Sequence, residues 1–334
     1  MNSIKKMMLS GALGCLISGM AYADGSSPQP VKPYWQDIQV VAVNKEKPRS
    51  SFMSYADRET ALTSRFEKSP YYSLLNGTWK FFFVDSYKDL PQNITDPSVN
   101  TSSWDDITVP GNWEVQGHGV AIYTNHGYEF KPRNPQPPLL PEANPVGVYR
   151  RDIEIPASWD NRDIYLHIGG AKSGLYVYLN GKEVGYSEDS KNPAEFLINK
   201  YLQPGKNVLT LKIFRWSTGS YLECQDFWRM SGIERDVFLW SQPKASIQDF
   251  RVVSTLDDTY TNGIFKLAVD LKNHTQETKN LNVGYELLDA KGNLVTSEAN
   301  DIWVSPASPQ TASFEYDLKN VAPWSAEHPN LYKL

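Results

Sequence analysis

The chain of 334 residues has almost no cysteine, since Cys15 and Cys224 are its two cysteines. Cys15 lies in an N-terminal segment that we expect to be cleaved, so the mature chain would hold one cysteine and no intramolecular disulfide. The five histidines and this one cysteine show no zinc-ligand spacing. The sequence therefore excludes a disulfide-stapled fold and a structural zinc site.

Clusters of positive charge are also lacking. The chain has 33 Lys and Arg against 38 Asp and Glu, a formal net charge of −5, and it contains no basic run. Proteins that bind nucleic acid need basic patches to contact phosphates. We therefore expect no nucleic-acid partner.

No hydrophobic run is long enough for a comfortable transmembrane helix, which needs about 20 residues. The nearest candidate is residues 7–20, which follow two lysines and precede the small-residue site at 21–23. This pattern is typical of a secretory signal peptide. A lipoprotein signal ending at Cys15 is the weaker interpretation, because the apolar run continues past that cysteine. We predict cleavage after Ala23, export to the periplasm and no membrane attachment afterwards.

Aromatic residues and proline are abundant, with 10 Trp, 19 Tyr and 22 Pro. Rigid aromatic faces cover the C–H faces of sugars well, and prolines separate short strands. The alternative is that the aromatics fill the core of an all-β protein, and composition alone favours that alternative.

Short strand-like runs recur along the chain, and helical periodicity is rare. Clear runs before residue 243 are 75–84, 148–156, 163–170, 175–186 and 207–216. Within 175–186, Asn180 and Gly181 favour the positive φ angles of a type I′ turn, which predicts a β-hairpin. The crossover helices that a parallel sheet requires are missing. We therefore predict an all-β fold that begins with a jelly-roll β-sandwich over residues 24–242.

A second module begins near residue 243. Apolar and polar residues alternate in 265–273, 281–289 and 312–318, which predicts strands with one buried face. This pattern resembles an immunoglobulin-like sandwich, which usually has about 100 residues and seven strands. Residues 243–334 are fewer, and 331–334 look like the start of a strand. We expect an incomplete immunoglobulin-like β-sandwich over 243–334.

Two carboxylates, Glu223 and Asp226, lie three residues apart in the aromatic-rich segment 219–240. A retaining glycosidase needs two carboxyl groups about 5–5.5 Å apart. On a strand, residues three apart face opposite sides, and only an irregular backbone would let them converge. No neighbouring residue gives a reason for one carboxyl to have a raised pKa. We expect no catalytic pair within this chain.

Seven segments, in this order, resemble the N-terminal part of glycoside hydrolase family 2, in its large β-galactosidase branch. They are LNGTWKF (75–81), VPGNWEVQG (109–117), IYTNHGYEF (122–130), NPVGVYRRD (144–152), LNGKEVGYSEDSKNPAEF (179–196), RWSTGSYLECQDFWRMSGIERDV (215–237) and PWSAEHPNLYKL (323–334). The resemblance covers nearly all of the chain after the signal peptide. It implies a sugar-binding jelly roll, an immunoglobulin-like domain and then a TIM barrel that holds the catalytic acids. The barrel is absent from this sequence.

The resemblance implies that Asp226 coordinates an active-site Na⁺ and the 6-hydroxyl of the sugar. A carboxylate suits both tasks, because it accepts two hydrogen bonds and is a hard oxygen ligand. The alternative is a structural role for Asp226 in an ion pair with Arg229 or Arg235. With the resemblance we favour the ligand role.

The resemblance also implies that Asn125 reaches towards the bound galactose. Its alternative role is an Asx turn that opens a loop. His126 follows it and could line the same rim, although a lone histidine is more often structural. For Glu223 we expect a salt bridge to a neighbouring arginine.

The chain departs from the family pattern at two positions in this segment. Cys224 stands where the family commonly has an aspartate, and Glu234 where an aromatic residue is usual. The first change leaves open how negative the site is. We expect Trp216, Trp228 and Trp240 to pack in the core or between domains rather than to bind sugar.

These observations predict the N-terminal part of an exported β-galactosidase that hydrolyses terminal β-galactosides by a retaining mechanism. The resemblance places the catalytic glutamates, and any Mg²⁺, with the missing barrel, so this chain alone is expected to be inactive. It also implies that full-length relatives are homo-oligomers. Two alternatives are a stand-alone carbohydrate-binding module and a structural or interaction protein.

Overall fold

The computed structural model describes residues 32–130, 134–306 and 308–334, which from Pro33 onward form one compact unit. The predicted signal peptide, residues 1–23, lies outside the described residues. The strands are β1 Ala42–Val43, β2 Tyr72–Leu74, β3 Gly77–Val84, β4 Asp105–Val109, β5 Gly111–Asn112, β6 Ile122–Thr124, β7 Val146–Glu154, β8 Arg162–Ile168, β9 Ala171–Lys172, β10 Gly174–Leu179, β11 Lys182–Ser187, β12 Ala194–Leu197, β13 Lys206–Phe214, β14 Phe227–Arg229, β15 Gly232–Ile233, β16 Val237–Pro243, β17 Ala245–Leu256, β18 Gly263–Asn273, β19 Lys279–Leu288, β20 Leu294–Val304 and β21 Gln310–Leu318.

Helical structure among the described residues is confined to short pieces. The α-helix is α1, Arg58–Leu62. The 3₁₀ turns are Tyr34–Gln36, Phe66–Lys68, Tyr87–Asp89, Glu114–Gln116, Ala157–Trp159, Asn199–Tyr201 and Thr218–Tyr221. The all-β prediction is therefore confirmed. Over the described ranges, no helix combines the length and hydropathy needed to cross a bilayer.

Two antiparallel sheets form the first sandwich. The larger has the strand order β1-β11-β10-β13-β7-β3-β4, and the smaller has the order β12-β8-β16-β2. Because side chains alternate across a strand, one face of each sheet meets the other in a shared core. Leu166, Leu211 and Leu239 are fully buried in that core.

Both outer faces of this sandwich are covered as well. Trp35 and Trp104 belong to an apolar cluster on the outer face of the larger sheet. Met53 packs with Phe238 and Trp240 on the outer face of the smaller sheet. The N-terminal arm, which we define as residues 33–66, therefore contributes to both covers.

The predicted β10–β11 hairpin is confirmed. Leu179 pairs with Lys182, and the two residues between them have φ angles of 53° at Asn180 and 76° at Gly181. These are the positive values that a type I′ turn requires.

The second sandwich consists of a three-stranded sheet, β17-β18-β21, and a two-stranded sheet, β19-β20. Phe265, Leu267, Val269 and Leu271 on β18 are 1–5% exposed, as their alternation predicts. They pack against β19 in a core that includes Tyr285. The strand period thus identified the buried face correctly.

The last residues approach the end of β19. The backbone N–H of Leu288 donates to the carbonyl of Lys333 at 2.8 Å, and the N–H of Lys333 donates back at 2.9 Å. This antiparallel bridge places 331–334 beside β19, where a further strand would pair.

Polar contacts join the two sandwiches. Ser50 of the arm donates its N–H to the carboxylate of Asp249 and its hydroxyl to the carbonyl of Phe250, each at 2.8 Å. His274 Nδ1 lies 2.7 Å from Asp163 Oδ2. The seam therefore relies on specific polar groups in addition to apolar packing.

Candidate functional site

Two short strands form an exposed ribbon at one end of the first sandwich. In the antiparallel pair β6–β14, Thr124 lies opposite Phe227 and Tyr123 lies opposite Trp228. Asn125 directly follows β6 and Asp226 directly precedes β14, and both residues lie in bends outside the paired strands. The ribbon therefore places the two residues that the sequence predicts to bind sugar at the same end, although they are about 100 residues apart in the chain.

One face of the ribbon combines aromatic and polar groups. Tyr123 and Trp228 are paired residues and therefore share a face, and the hydroxyl of Tyr123 reaches the carboxylate of Asp226. The two aromatic side chains are each 55% exposed, and their ring centroids are 5.6 Å apart. Trp228 is thus not a core residue, contrary to the first of the two roles expected for it.

The other two tryptophans of this segment fit the core expectation. Trp216 is 8% exposed and Trp240 is 1% exposed. The three-residue strand β14 carries no pattern from which the exposure of Trp228 could be predicted.

Asp226 has one hydrogen bond among the described residues. The hydroxyl of Tyr123 donates to its Oδ1 at 2.8 Å, and this hydrogen bond raises the pKa of Tyr123. Arg235 instead donates to the carbonyls of Gly169 and Lys191. The alternative ion pair with an arginine is not found in the described part of the chain, and Asp226 is exposed to solvent.

Arg229 supports the ribbon from below. Its side chain is 1% exposed and donates to the carbonyl of Glu223 at 2.9 Å and to that of Thr124 at 3.5 Å. The guanidinium also lies 4.8 Å from the centroid of the Phe227 ring. One buried cation therefore contacts both strands, which explains why it is unavailable to Asp226.

The prediction of a salt bridge for Glu223 is wrong. Its carboxylate accepts from the N–H of Ser190 at 3.0 Å and from the hydroxyl of Ser190 at 2.6 Å. The neighbouring arginine binds the backbone of Glu223 rather than its carboxylate. Because Glu223 and Asp226 have different partners, they do not form a pair held together by a shared contact.

Asn125 and His126 are both exposed at the tip of the ribbon. Nδ1 of His126 lies 2.8 Å from Oδ1 of Asn125. When that nitrogen is protonated it donates to the amide oxygen, which leaves the amide NH₂ of Asn125 as the group presented to a ligand. His126 is therefore exposed beside Asn125, and its role at the rim of a sugar site stays a prediction.

A buried layer under the ribbon was not predicted from the sequence. Glu129 and Lys172 have side chains that are each 3% exposed, with Nζ 3.5 Å from Oε1. Nε1 of Trp216 donates to the same oxygen at 2.8 Å. Burial lowers the pKa of Lys172, and the charge of Glu129 opposes that shift. Glu129, Lys172 and Trp216 come from three separate segments, so no local motif marks this cluster.

The two departures from the family pattern have local partners. The thiol of Cys224 donates to the carbonyl of Ser220 at 3.0 Å, and burial raises its pKa. Glu234 forms an ion pair with Lys191 at the surface. Neither residue contacts the carboxylate of Asp226.

The carboxylate of Asp226 is the metal ligand that the sequence predicts in this region. The described residues contain no group of three or more His, Cys, Asp or Glu that could hold a metal ion. At Asp226 the chain offers one exposed carboxylate, a ligand type that suits Na⁺. Any ion bound there would need further oxygen ligands besides this carboxylate.

A cavity under the N-terminal arm lies away from the ribbon. Its volume is about 300 Å³, and its lining includes Arg49, His167 and Glu195. Oε1 of Glu195 accepts from Arg49 at 2.9 Å, lies 2.8 Å from Nδ1 of His167 and accepts from Trp240 at 3.0 Å. These polar groups bind one another, and we assign no ligand to the cavity.

Comparison with family models matches two regions. Residues 72–243 match the glycosyl hydrolases family 2 sugar binding domain, and residues 245–334 match a second glycosyl hydrolases family 2 model. The change of model coincides with the end of β16 and the start of β17.

Curated relatives carry the name β-galactosidase. The protein from Priestia megaterium is 39% identical over 306 residues, covering 90% of this chain and 30% of that protein. The protein from Halalkalibacterium halodurans is 37% identical over 304 residues, covering 90% and 29%. The chain thus spans about 30% of the length of these relatives.

Solved structures support the fold. A β-glucuronidase from Bacteroides uniformis has a TM-score of 0.64 and 21% identity, covering 78% of this chain and 29% of that one. A β-glucuronidase from Bifidobacterium dentium has a TM-score of 0.59 and 19% identity, covering 78% and 44%. The two family models, which match residues 72–243 and 245–334, establish that the chain belongs to glycosyl hydrolase family 2.

Proposed function

We propose that this chain is the N-terminal part of an exported β-galactosidase that hydrolyses terminal β-galactosides. The observation that carries the proposal is the exposed end of the ribbon, where Asp226 accepts a hydrogen bond from Tyr123, Trp228 is paired with Tyr123, and Asn125 follows β6. Hydrogen-bonding groups beside exposed aromatic surfaces suit sugar recognition. The identity of 39% to a relative named β-galactosidase supports galactoside as the substrate class.

In this proposal the chain binds and orients the sugar, and the chemistry takes place elsewhere. A retaining mechanism needs two carboxyl groups about 5–5.5 Å apart. Glu223 is engaged with Ser190, so it is not available as the partner of Asp226. The catalytic glutamates, and any Mg²⁺, would lie in a TIM barrel supplied beyond this chain.

The carboxylate of Asp226 would accept a hydrogen bond from the 6-hydroxyl of galactose and serve as one ligand of Na⁺. When bound, the cation supplies a compact positive charge that favours hydroxyl and carboxylate oxygens. Asn125 would donate its amide to a second hydroxyl, with its oxygen held by His126. Tyr123 fixes one oxygen of Asp226, which leaves the other oxygen for the ligand.

The remaining features of the proposal come from the sequence. We propose removal of residues 1–23, a periplasmic location and a homo-oligomeric full-length enzyme. The second sandwich, residues 243–334, would connect the sugar-binding sandwich to the barrel.

A second candidate function is a carbohydrate-binding module that acts without a barrel. The 55% exposure of both Tyr123 and Trp228 favours it, because such a module needs an accessible aromatic platform. The two candidates differ in what the chain does alone. A stand-alone module binds galactose-containing polysaccharide by itself and loses that binding in Trp228→Ala.

The test of the proposed function uses the 334-residue chain and a fusion. In the fusion, the part of the Priestia megaterium relative that follows its matched region is joined after Leu334. We expect the fusion to hydrolyse an aryl β-galactoside and the chain alone to leave it intact. Turnover by the chain alone that disappears in Glu223→Gln would contradict the assignment of the chemistry to a barrel.

A further inference from the structure

The buried pair Glu129–Lys172 links the segment that carries Asn125 to the body of the sandwich. Both side chains are 3% exposed, and Nζ lies 3.5 Å from Oε1. Trp216, which follows β13, donates its indole N–H to the same oxygen at 2.8 Å. Glu129 is four positions after Asn125, so the buried pair lies one short loop away from the amide of Asn125.

Aromatic packing on both sides of Glu129 extends this link to the segment that leads to Asp226. The ring centroids of Tyr128 and Phe130 lie 4.8 Å and 5.1 Å from that of Tyr221. The segment 125–130 is therefore held against the turn that precedes Asp226. Movement of one segment would displace the other.

The backbone of Lys172 pairs with β15, which follows the ribbon strand β14 in the chain. Lys172 lies on β9, and its Cα partner on β15 is Gly232. The side chain of Lys172 therefore reaches Glu129 from β9, a strand that is held beside β15 by backbone pairing. One ion pair thus connects three elements that surround the ribbon.

A contribution to folding stability does not by itself explain why Glu129 and Lys172 are buried as an ion pair. The free-energy cost of removing two charges from water can exceed the free energy gained from their attraction. Oε2 of Glu129 has no hydrogen-bond partner in the described ranges, which adds to that cost. Burial lowers the pKa of Lys172, as expected for an ammonium in such a place. What the pair supplies is a fixed geometry.

We propose that Glu129 and Lys172 are positioning residues, whose ion pair fixes segment 125–130 so that Asn125 and Asp226 meet the sugar in one orientation. The statement about sugar rests on the proposed function, whereas the statement about the segment does not. A double variant separates the two roles, because Glu129→Gln with Lys172→Met removes both charges and keeps an acceptor for Trp216. The single variants each leave one charge buried without its partner.

The first measurement is hydrogen exchange on the 334-residue chain. We expect each single variant to lower the melting temperature and the double variant to recover it. At that recovered stability, amides in 122–130 and 217–229 should still exchange several-fold faster than in the original chain. The matched control is Lys266→Met with Glu315→Gln, which removes an exposed pair with a 3.0 Å contact on the second sandwich. It should leave both segments unchanged.

The second measurement is kinetics of the fusion with an aryl β-galactoside. We expect the double variant to lower kcat/KM by about tenfold or more, mostly through KM, because binding groups are displaced while the catalytic groups stay in place. The proposal would be overturned if the double variant kept the exchange rates of the original chain in both segments and left KM unchanged. A fusion without any galactosidase activity would count against the proposed function, and the exchange data would still decide the role of the pair.

Discussion

The two sandwiches use tryptophan in opposite ways. Seven tryptophans of the first sandwich are 0–8% exposed, namely Trp35, Trp79, Trp104, Trp113, Trp159, Trp216 and Trp240. Trp228 on the ribbon is 55% exposed, and the second sandwich exposes Trp303 at 66% and Trp324 at 63%. In the first sandwich the exposed tryptophan lies at the candidate site, whereas in the second both tryptophans lie on a less completely covered surface.

Coverage of the sheets explains this difference. The first sandwich has apolar clusters on both faces of its larger sheet, and the N-terminal arm packs on the outer face of its smaller sheet. The second has one core between a three-stranded and a two-stranded sheet, and Leu288 of β19 has a single bridge to Lys333. A sandwich with apolar cover on both sheets can hold an exposed ribbon in place. We expect the second sandwich to open more readily.

Matched core deletions give the largest expected effect. Leu211 is 0% exposed in the first core and Leu267 is 4% exposed in the second. Replacing either with Ala should cost about 2–5 kcal/mol, since both lose burial and leave a cavity. In calorimetry of the chain we expect two transitions, with Leu267→Ala lowering the first and Leu211→Ala lowering the second. A single transition that both variants lower equally would show that the sandwiches unfold as one unit.

Limited proteolysis tests the same difference without substitutions. A sheet edge with unpaired backbone groups opens more easily than a covered sheet. We expect early cleavage beyond residue 243, in the turns at 257–262 or 289–293, while a fragment containing the first sandwich resists. Equal resistance of both regions would contradict the difference in coverage.

Acid stability should separate the two sandwiches by a smaller amount. Burial alone would raise the pKa of Glu195, but hydrogen bonds and charges from His167 and Arg49 outweigh it and lower that pKa. In the second sandwich, hydrogen bonds from Asn293 lower the pKa of Asp289. For either acid, the unfolded chain binds its proton more readily, so stability is present at higher pH and is lost as pH falls through the lowered folded pKa.

Two variants test which acid causes the loss of stability at low pH in each sandwich. Below the ordinary glutamate value of 4.5, Glu195→Gln should flatten the fall in stability of the first sandwich only. Below the ordinary aspartate value of 3.8, Asp289→Asn should flatten it in the second only. Melting temperatures measured between pH 3 and pH 7 check both. If Glu195→Gln flattened both transitions equally, the two regions would be coupled through the arm.

Local sequence patterns predicted much of the fold. The alternation in 265–273 identified the buried face of β18, and Asn180-Gly181 identified the hairpin, because both features depend on neighbouring residues. The partners at the site come from distant segments. Ser190 binds Glu223 from 33 residues away, and Lys172 lies 43 residues from Glu129. No periodicity encodes such pairs, so the expected arginine partner of Glu223 was wrong and the buried pair was missed.

The family resemblance drew attention to Asn125 and Asp226, and the pairing of β6 with β14 places them at the same end of the ribbon. The residues alone left a structural role for Asp226 open. In the described structure Arg229 is occupied by the backbone carbonyls of Glu223 and Thr124. That occupation could not be predicted from spacing, because it requires the strand β6 to lie beside β14.

The most direct test of the central claim, that the first sandwich supplies a sugar-binding ribbon, is Asp226→Asn in the fused enzyme. A charge-assisted contact to a hydroxyl or cation contributes about 1.5–3 kcal/mol, so kcat/KM should fall by about ten- to a hundredfold. Any Na⁺ dependence should weaken while the melting temperature barely moves. The control is Cys224→Ser, whose hydroxyl can keep the hydrogen bond to Ser220 and which should cost little. A large drop in melting temperature with unchanged activity per folded molecule would contradict the account.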